Sequence, residues 1–210
     1  PLENKAVWLH SAEKFLNRDD VKQVILVISP EDREEFNNKF AANVMILGID
    51  VVEGGAERSD SISNALAKVK PDIDFIAVHD AARPCIANEW IDNVFAAAEK
   101  SNAAILALPI AGTIKRVANG NVAETIPRAN LWEAQTPQVF QRQLLLDAYA
   151  KRGDQPSTDD AELVERLGKP VTIVEGSPVN LKITTKADLR LATHALKALP
   201  KPKLLGGAHP

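Results

Sequence analysis

The stretch DFIAVHDAARP, residues Asp74–Pro84, decides how the chain is read. Its first half is a short apolar run of the kind that forms a buried strand. Its second half places a histidine, an aspartate and an arginine at the exit, as His79, Asp80 and Arg83. In α/β proteins ligands sit beyond the carboxyl ends of the strands, so polar groups at such an exit are candidates for a site.

Working outward, further apolar runs punctuate the chain. VKQVILVIS (Val21–Ser29), NAAILALPI (Asn102–Ile110) and KPVTIVEG (Lys169–Gly176) read as strands. NVMILGIDVVEG (Asn43–Gly54) holds another, in one piece or two. Between them lie helical patterns: VWLHSAEKFL, PEDREEFNNKF, the segment after GGAERSDS, NEWIDNVFAAAEK, QRQLLLDAYAKR, DDAELVERLG and KADLRLATHAL. The alternation predicts an α/β fold with a mostly parallel sheet and helices on both faces. It brings GGAERSD, HDAARP and the residues after Ile110 to one rim of that sheet. One segment breaks the pattern. In Thr113–Trp132, IKRV and VAETI flank Ala-Asn-Gly-Asn, a hairpin turn signal. A lone hairpin is marginal in water and calls for a cover, from its own domain or a second subunit.

The bulk numbers exclude several classes. A chain of 210 residues suits one domain with a real core. With 25 basic and 28 acidic residues, the net charge of −3 gives no support for broad nucleic-acid binding. The one cysteine forms no internal disulfide and no cysteine-based zinc site, which fits a reducing compartment. No apolar run reaches the roughly 18–20 residues of a membrane span, and no secretory leader is visible. The expectation is a cytoplasmic protein, or a stromal one in a plant plastid. Domain limits are expected at 1–196, with a Pro/Gly-rich, disordered tail at 197–210.

Four segments carry candidate chemistry. In HDAARP, Asp80 suits a divalent cation on a triphosphate, Arg83 suits a phosphate, and His79 reads as a structural hydrogen bonder. The plainer alternative has Asp80 capping the next helix. In GGAERSDS, Gly54 and Gly55 permit close approach of a ligand to the backbone; the alternative is a simple turn capped by Ser59 or Asp60. In NLKITT, Lys182 between Leu181 and Ile183 alternates as on a strand, facing solvent or an anionic substrate. In IPRANLWEAQTPQVF, Thr136 precedes a proline and must be extended. That segment reads as an arm returning to the body with Trp132 as a packing anchor, or as a holder of a phosphorylated substrate through Arg128 and Thr136.

Taken in order, GGAERSDS, HDAARP, GTIKR…PRANLWEAQTPQ and NLKITT resemble the 2-C-methyl-D-erythritol 4-phosphate cytidylyltransferase family over nearly the whole chain. Ribitol 5-phosphate cytidylyltransferases share most of these motifs; the second alanine of HDAARP and the TPQ segment lean towards the methylerythritol enzymes. A non-catalytic dimeric nucleotide-binding module is the reading from another class. The resemblance implies a Rossmann-like nucleotidyltransferase fold, CTP and a polyol phosphate as substrates, magnesium (Mg2+) as cofactor, and a homodimer joined by a protruding β-arm at about residues 113–128. It places Gly54, Gly55, Ala56, Ser61, Asp80, Ala81 and Arg83 at the nucleotide. It places Asp80, Thr113, Arg128, Thr136 and Lys182 at the alcohol, Thr113 and Arg128 reaching the neighbouring subunit's site. Asp80, Arg128 and Lys182 are implied as catalytic and Asp80 as the metal ligand. The family opens with a strand and a glycine-rich loop of the form AAGxGxRM…PKQ, which this sequence does not contain; the expectation is that such a segment precedes Pro1.

Overall fold

The computed structural model describes residues 1–153 and 155–200. In chain order the elements are α1 (Val7–Leu16), β1 (Ile25–Ile28), a 3-10 turn (Pro30–Asp32), α2 (Arg33–Leu47), β2 (Asp50–Glu53), α3 (Arg58–Leu66), β3 (Phe75–Val78), α4 (Asn88–Ser101) and β4 (Ala103–Pro109). They continue with β5 (Ile114–Ala118), β6 (Asn121–Ile126), β7 (Trp132–Gln141), α5 (Arg142–Ala150), α6 (Asp160–Arg166), β8 (Thr172–Glu175) and α7 (Lys186–Lys197). The tail beyond residue 200 lies outside the described residues. Among the described residues no helix is long and apolar enough to cross a membrane.

The central sheet runs β3-β7-β4-β8. β8 is parallel to β4, while β7 is antiparallel to both β3 and β4, so three strands share one direction. β1 and β2 form a separate parallel pair. The pleat of β4 explains why helices cover both faces. Ala103 and Ile105 pack with Leu145, Leu163 and Val164 from α5 and α6. Ala104 and Leu106, one residue out of step, pack with Phe15 of α1 and Ile91, Val94 and Ala98 of α4. A strand buried on both sides shows no polar alternation, which is why it reads as a continuous apolar run.

The hairpin forms as expected. β5 and β6 pair antiparallel, and Asn119 and Gly120 take φ of 50° and 78°, the left-handed pair that a tight hairpin turn needs. Val117 and Val122 are directly paired and both well exposed, 60% and 61%.

Three expectations are corrected. Asn43–Gly54 holds one strand, β2, as expected, but not a second piece: Asn43–Leu47 is the last part of α2, Met45 and Ile46 face solvent, and Gly48 ends the helix in the left-handed conformation. An apolar run alone could not separate strand from helix here. The segment read as a returning arm is β7, whose inner half, Gln135–Phe140, is buried, while the supposed anchor Trp132 is 42% exposed. Lys182 lies on an extended loop between β8 and α7 and not on a strand. Its neighbours Leu181 and Ile183 still pack inward against the cluster of Leu2, Cys85 and Ala192, so the alternation holds without a ladder.

Candidate active site

β3 pairs with β7 up to Val78 opposite Gln138. Continued past that pair, the register sets Asp80 against Thr136, with Pro137 between. Proline has no N–H, so the backbone ladder cannot continue there. A side chain takes over: the Asp80 amide donates to Thr136 Oγ1 at 3.0 Å. His79 sits behind this contact, Nδ1 3.1 Å from Thr136 Oγ1 and Nε2 3.1 Å from the Arg83 carbonyl. Its ring packs on Phe15 at 5.1 Å between centroids. Burial pushes its pKa down to about 4, so the ring is neutral at physiological pH. His79 is thus the hydrogen bonder that the sequence suggests.

The Asp80 carboxylate points the other way, towards two cations. Lys182 Nζ lies 3.1 Å and Arg83 Nε 3.4 Å from Oδ2. Burial works to raise the Asp80 pKa, but the Lys182 hydrogen bond and charge, with Arg83 and Arg58, outweigh it and leave the pKa below the ordinary value. Asp80 does not cap α4, whose N-cap is Ala87. Arg83 is itself buried and is fixed by donating to the Asn180 carbonyl at 2.8 Å. Asn180 donates in turn to the Thr136 carbonyl at 2.9 Å, and Ile183 N–H to the Ala82 carbonyl at 2.8 Å. These bonds tie the loop that carries Lys182 to the exit of β3.

The opposite wall is organised by Arg58 and Asp160, to which the sequence reading assigned no role. Arg58, at the first position of α3, forms a 2.6 Å ion pair with Asp160, whose carboxylate is fully buried. Tyr149 donates to the other Asp160 oxygen. Gln138 accepts from the amides of Asp160 and Ala161 and donates to Asp159, which caps α6. Asp60 and Arg152 form a further ion pair beside Arg58. An arginine three residues after a glycine pair, and an Asp-Asp pair opening a helix, were the available signals. Their pairing across 102 residues had none.

Together these groups enclose a cavity of about 260 Å³, lined by Arg58, Asp80, Arg83, Thr158, Asp159 and Lys182 with Ala134, Gln135, Thr136 and Gln138 of β7. Of the predicted site residues, Asp80, Arg83, Thr136 and Lys182 meet there. Thr113 and Arg128 flank the hairpin and do not line it, and Ala81 faces Ser11, which donates to its carbonyl at 2.9 Å. Gly54, Gly55, Ala56 and Ser61 also lie off the wall. What approaches the paired glycines is the chain itself. A Cβ on Gly55 would sit 2.3 Å from Asp60 Cβ, and one on Gly54 2.9 Å from Ser61 Oγ. The cap of α3 is Glu57, not Ser59 or Asp60; Asp60 instead accepts from the Glu57 amide at 3.2 Å.

A partly buried aspartate flanked by a lysine and an arginine thus stands at the carboxyl end of β3. Residues 1–198 match the family model IspD, 2-C-methyl-D-erythritol 4-phosphate cytidylyltransferase. The chain belongs to that family. A 2-C-methyl-D-erythritol 4-phosphate cytidylyltransferase of Rhodopirellula baltica is 43% identical over 202 residues, 91% of this chain and 83% of that protein. One from Bacillus cereus is 40% identical over 197 residues, 93% of this chain and 87% of that protein. The crystal structure of the Francisella tularensis family member superposes with a TM-score of 0.82 at 32% identity, covering 93% of this chain and 90% of that one. The Thermus thermophilus enzyme gives 0.80 at 31% identity, covering 92% and 90%. The IspD frame therefore holds from Pro1 to the end of α7.

Proposed function

We propose that this protein transfers the cytidylyl group of CTP to 2-C-methyl-D-erythritol 4-phosphate, giving 4-diphosphocytidyl-2-C-methyl-D-erythritol and pyrophosphate in non-mevalonate isoprenoid biosynthesis. The observation that carries the reading is Asp80 held between Lys182 and Arg83 on a cavity wall, within a chain of this family.

The chemistry fits the residues. Both reacting groups are anions, so repulsion is the first obstacle. Positioning and charge neutralisation supply most of the catalysis in phosphoryl-type transfer. Lys182 is nearly half exposed, and an ion pair so open to water contributes little to stability. Lys182 can therefore exchange Asp80 for an incoming phosphate at small cost. Arg83 cannot, being buried and anchored on Asn180; it keeps Asp80 ionised and in place. No covalent intermediate is needed, since a phosphate monoester is already largely ionised near neutral pH.

Magnesium enters this reading as a companion of the triphosphate. The described residues hold no cluster of three or more metal-ligating side chains. That suits Mg2+, which commonly takes one or two carboxylates with water and substrate phosphates. Asp80 is the residue that would hold it: both Asp159 oxygens are engaged, by the Glu162 amide and Gln138, whereas the hydrogen bonds on Asp80 converge on Oδ2. The bound ion would supply charge neutralisation on the phosphates. We propose further that Gly54, Gly55, Ala56, Ser61 and Ala81 serve the nucleotide. The hairpin joins two subunits, with Thr113 and Arg128 serving the neighbour's site, and the enzyme works in the cytoplasm. The exposed Val117–Val122 pair, which an isolated hairpin would leave in water, supports the second point.

The test is a pyrophosphate-release assay on full-length protein with CTP and each of two alcohols, 2-C-methyl-D-erythritol 4-phosphate and ribitol 5-phosphate. Turnover with the first is expected. Turnover with ribitol phosphate alone, or CTP binding without pyrophosphate release, would overturn the reading.

A further inference from the structure

We infer that His79 and Thr136 are positioning residues for Asp80, and that the Thr136 hydroxyl has no hydrogen to give a substrate phosphate. This rests on the transfer reaction proposed above and assigns one side chain of its site a different task from the expected one.

The direction of each bond follows from what the groups can do. The Arg83 carbonyl only accepts, so His79 Nε2, 3.1 Å away, carries the ring hydrogen. The ring lies against Phe15, and its nitrogens meet a carbonyl and a hydroxyl, with no carboxylate bonded to either to hold a second proton. Nδ1 is then bare and must accept; its partner at 3.1 Å is Thr136 Oγ1, which therefore donates. The Asp80 amide can only donate, and Thr136 Oγ1 receives it at 3.0 Å. The hydroxyl has one hydrogen, and His79 holds it. Its one remaining lone pair could accept from a substrate hydroxyl, but a phosphate dianion presents acceptors only. Thr136 can therefore not bind such a phosphate while this relay stands. What it does instead is replace the ladder bond lost at Pro137, fixing the backbone from which the Asp80 carboxylate projects. Phe15 against the ring and Asn180 on the Thr136 carbonyl hold the two ends of the relay. Phosphate recognition then falls to Lys182, the cation on the wall that is open enough to exchange its partner.

Four variants separate this from direct contact. Thr136→Val keeps the shape and loses both bonds; Thr136→Ser keeps both. His79→Gln can still donate towards the Arg83 carbonyl but offers no acceptor near Nδ1; His79→Asn does the reverse. We expect Thr136→Val and His79→Gln each to lower kcat by about tenfold to a hundredfold, with KM for the polyol phosphate moving less than about threefold. Thr136→Ser and His79→Asn should retain more kcat than their counterparts. The Thr136→Val, His79→Gln double variant should be no worse than the poorer single, because both break one relay. A rise of about tenfold or more in that KM for Thr136→Val, with His79→Gln leaving kcat intact, would overturn the inference. Because valine at this buried position could disturb folding, the ring is also read directly. Nitrogen-15 NMR of the wild-type protein should show His79 as the Nε2–H tautomer, and an Nδ1–H tautomer would overturn the relay whatever the variants do. Absence of cytidylyl transfer by the wild type would instead remove the proposed function and leave the tautomer measurement to decide the relay.

Discussion

Lys182 Nζ lies 3.1 Å from Asp80 Oδ2, across a gap of more than a hundred residues in the chain, and the two meet on the wall of one cavity. The pair is asymmetric: the carboxylate is mostly buried, the ammonium nearly half exposed. Asp80→Ala should therefore cost turnover heavily, by about a hundredfold or more, since it removes a charge set at the reacting groups. The fold should survive at a lower melting temperature: Lys182 can turn to water, while buried Arg83 loses its counter-charge but keeps its bond to the Asn180 carbonyl. Lys182→Gln should raise KM for the polyol phosphate and lower kcat while leaving the melting temperature within a few degrees. Steady-state kinetics with circular dichroism decide both; normal rates in Asp80→Ala would refute the assignment.

Arg128 flanks the hairpin and does not line the cavity of its own chain. If it serves a second subunit, Arg128→Ala should raise KM for the alcohol more than for CTP. Mixing inactive Arg128→Ala and Asp80→Ala proteins should restore part of the activity, since some mixed dimers carry one intact site. Val117→Lys with Val122→Lys should shift sedimentation towards the monomer. No complementation and an unchanged sedimentation coefficient would exclude shared sites.

Arg58 and Asp160 form an ion pair whose carboxylate has no access to water. Removing one partner of such a pair leaves a charge stranded, at a cost of about 3–5 kcal/mol for a fully buried pair, and about 2–3 kcal/mol is expected here because Arg58 is one-third exposed. Urea unfolding of Arg58→Met should show that loss. The Arg58→Met, Asp160→Asn double variant should recover part of it, since no charge then remains buried. Equal stability of Arg58→Met and wild type would show that the pair contributes nothing.

Asp188 accepts from the Thr184 and Thr185 amides and hydroxyl of Thr184 at the start of α7. These bonds, led by the Thr184 hydroxyl, hold its pKa down at about 2. The sign follows: the ionised form is favoured in the fold, so the stabilisation is full above the unfolded value of about 3.9 and is lost as pH falls towards 2. The melting temperature of wild type should exceed that of Asp188→Asn at pH 7, and the gap should close between pH 4 and pH 2. A gap that persists at pH 2 would point to a cause other than this carboxylate.

Much of this molecule was legible in the chain. The apolar run before HDAARP, the alternation of strands with helices and the Asn-Gly turn identified β3, most helices and the hairpin, because each depends on residues within a turn or two of one another. The ordered motifs likewise pointed to Asp80, Arg83 and Lys182. Asn43–Leu47 was misread because four apolar residues look alike in a strand and in the exposed end of a helix; what settled it was Gly48 and the lack of a partner strand.

What tertiary structure alone decided is which groups meet. That Arg58 should pair with Asp160, or Thr136 stand beneath the Asp80 amide with His79 behind it, depends on β7 running antiparallel between β3 and β4 and on where its proline interrupts the ladder. Backbone preferences are local and leave a trace in neighbouring residues. Hydrogen bonds and ion pairs across 56 or 102 residues leave none, because they form only after the sheet has set its register.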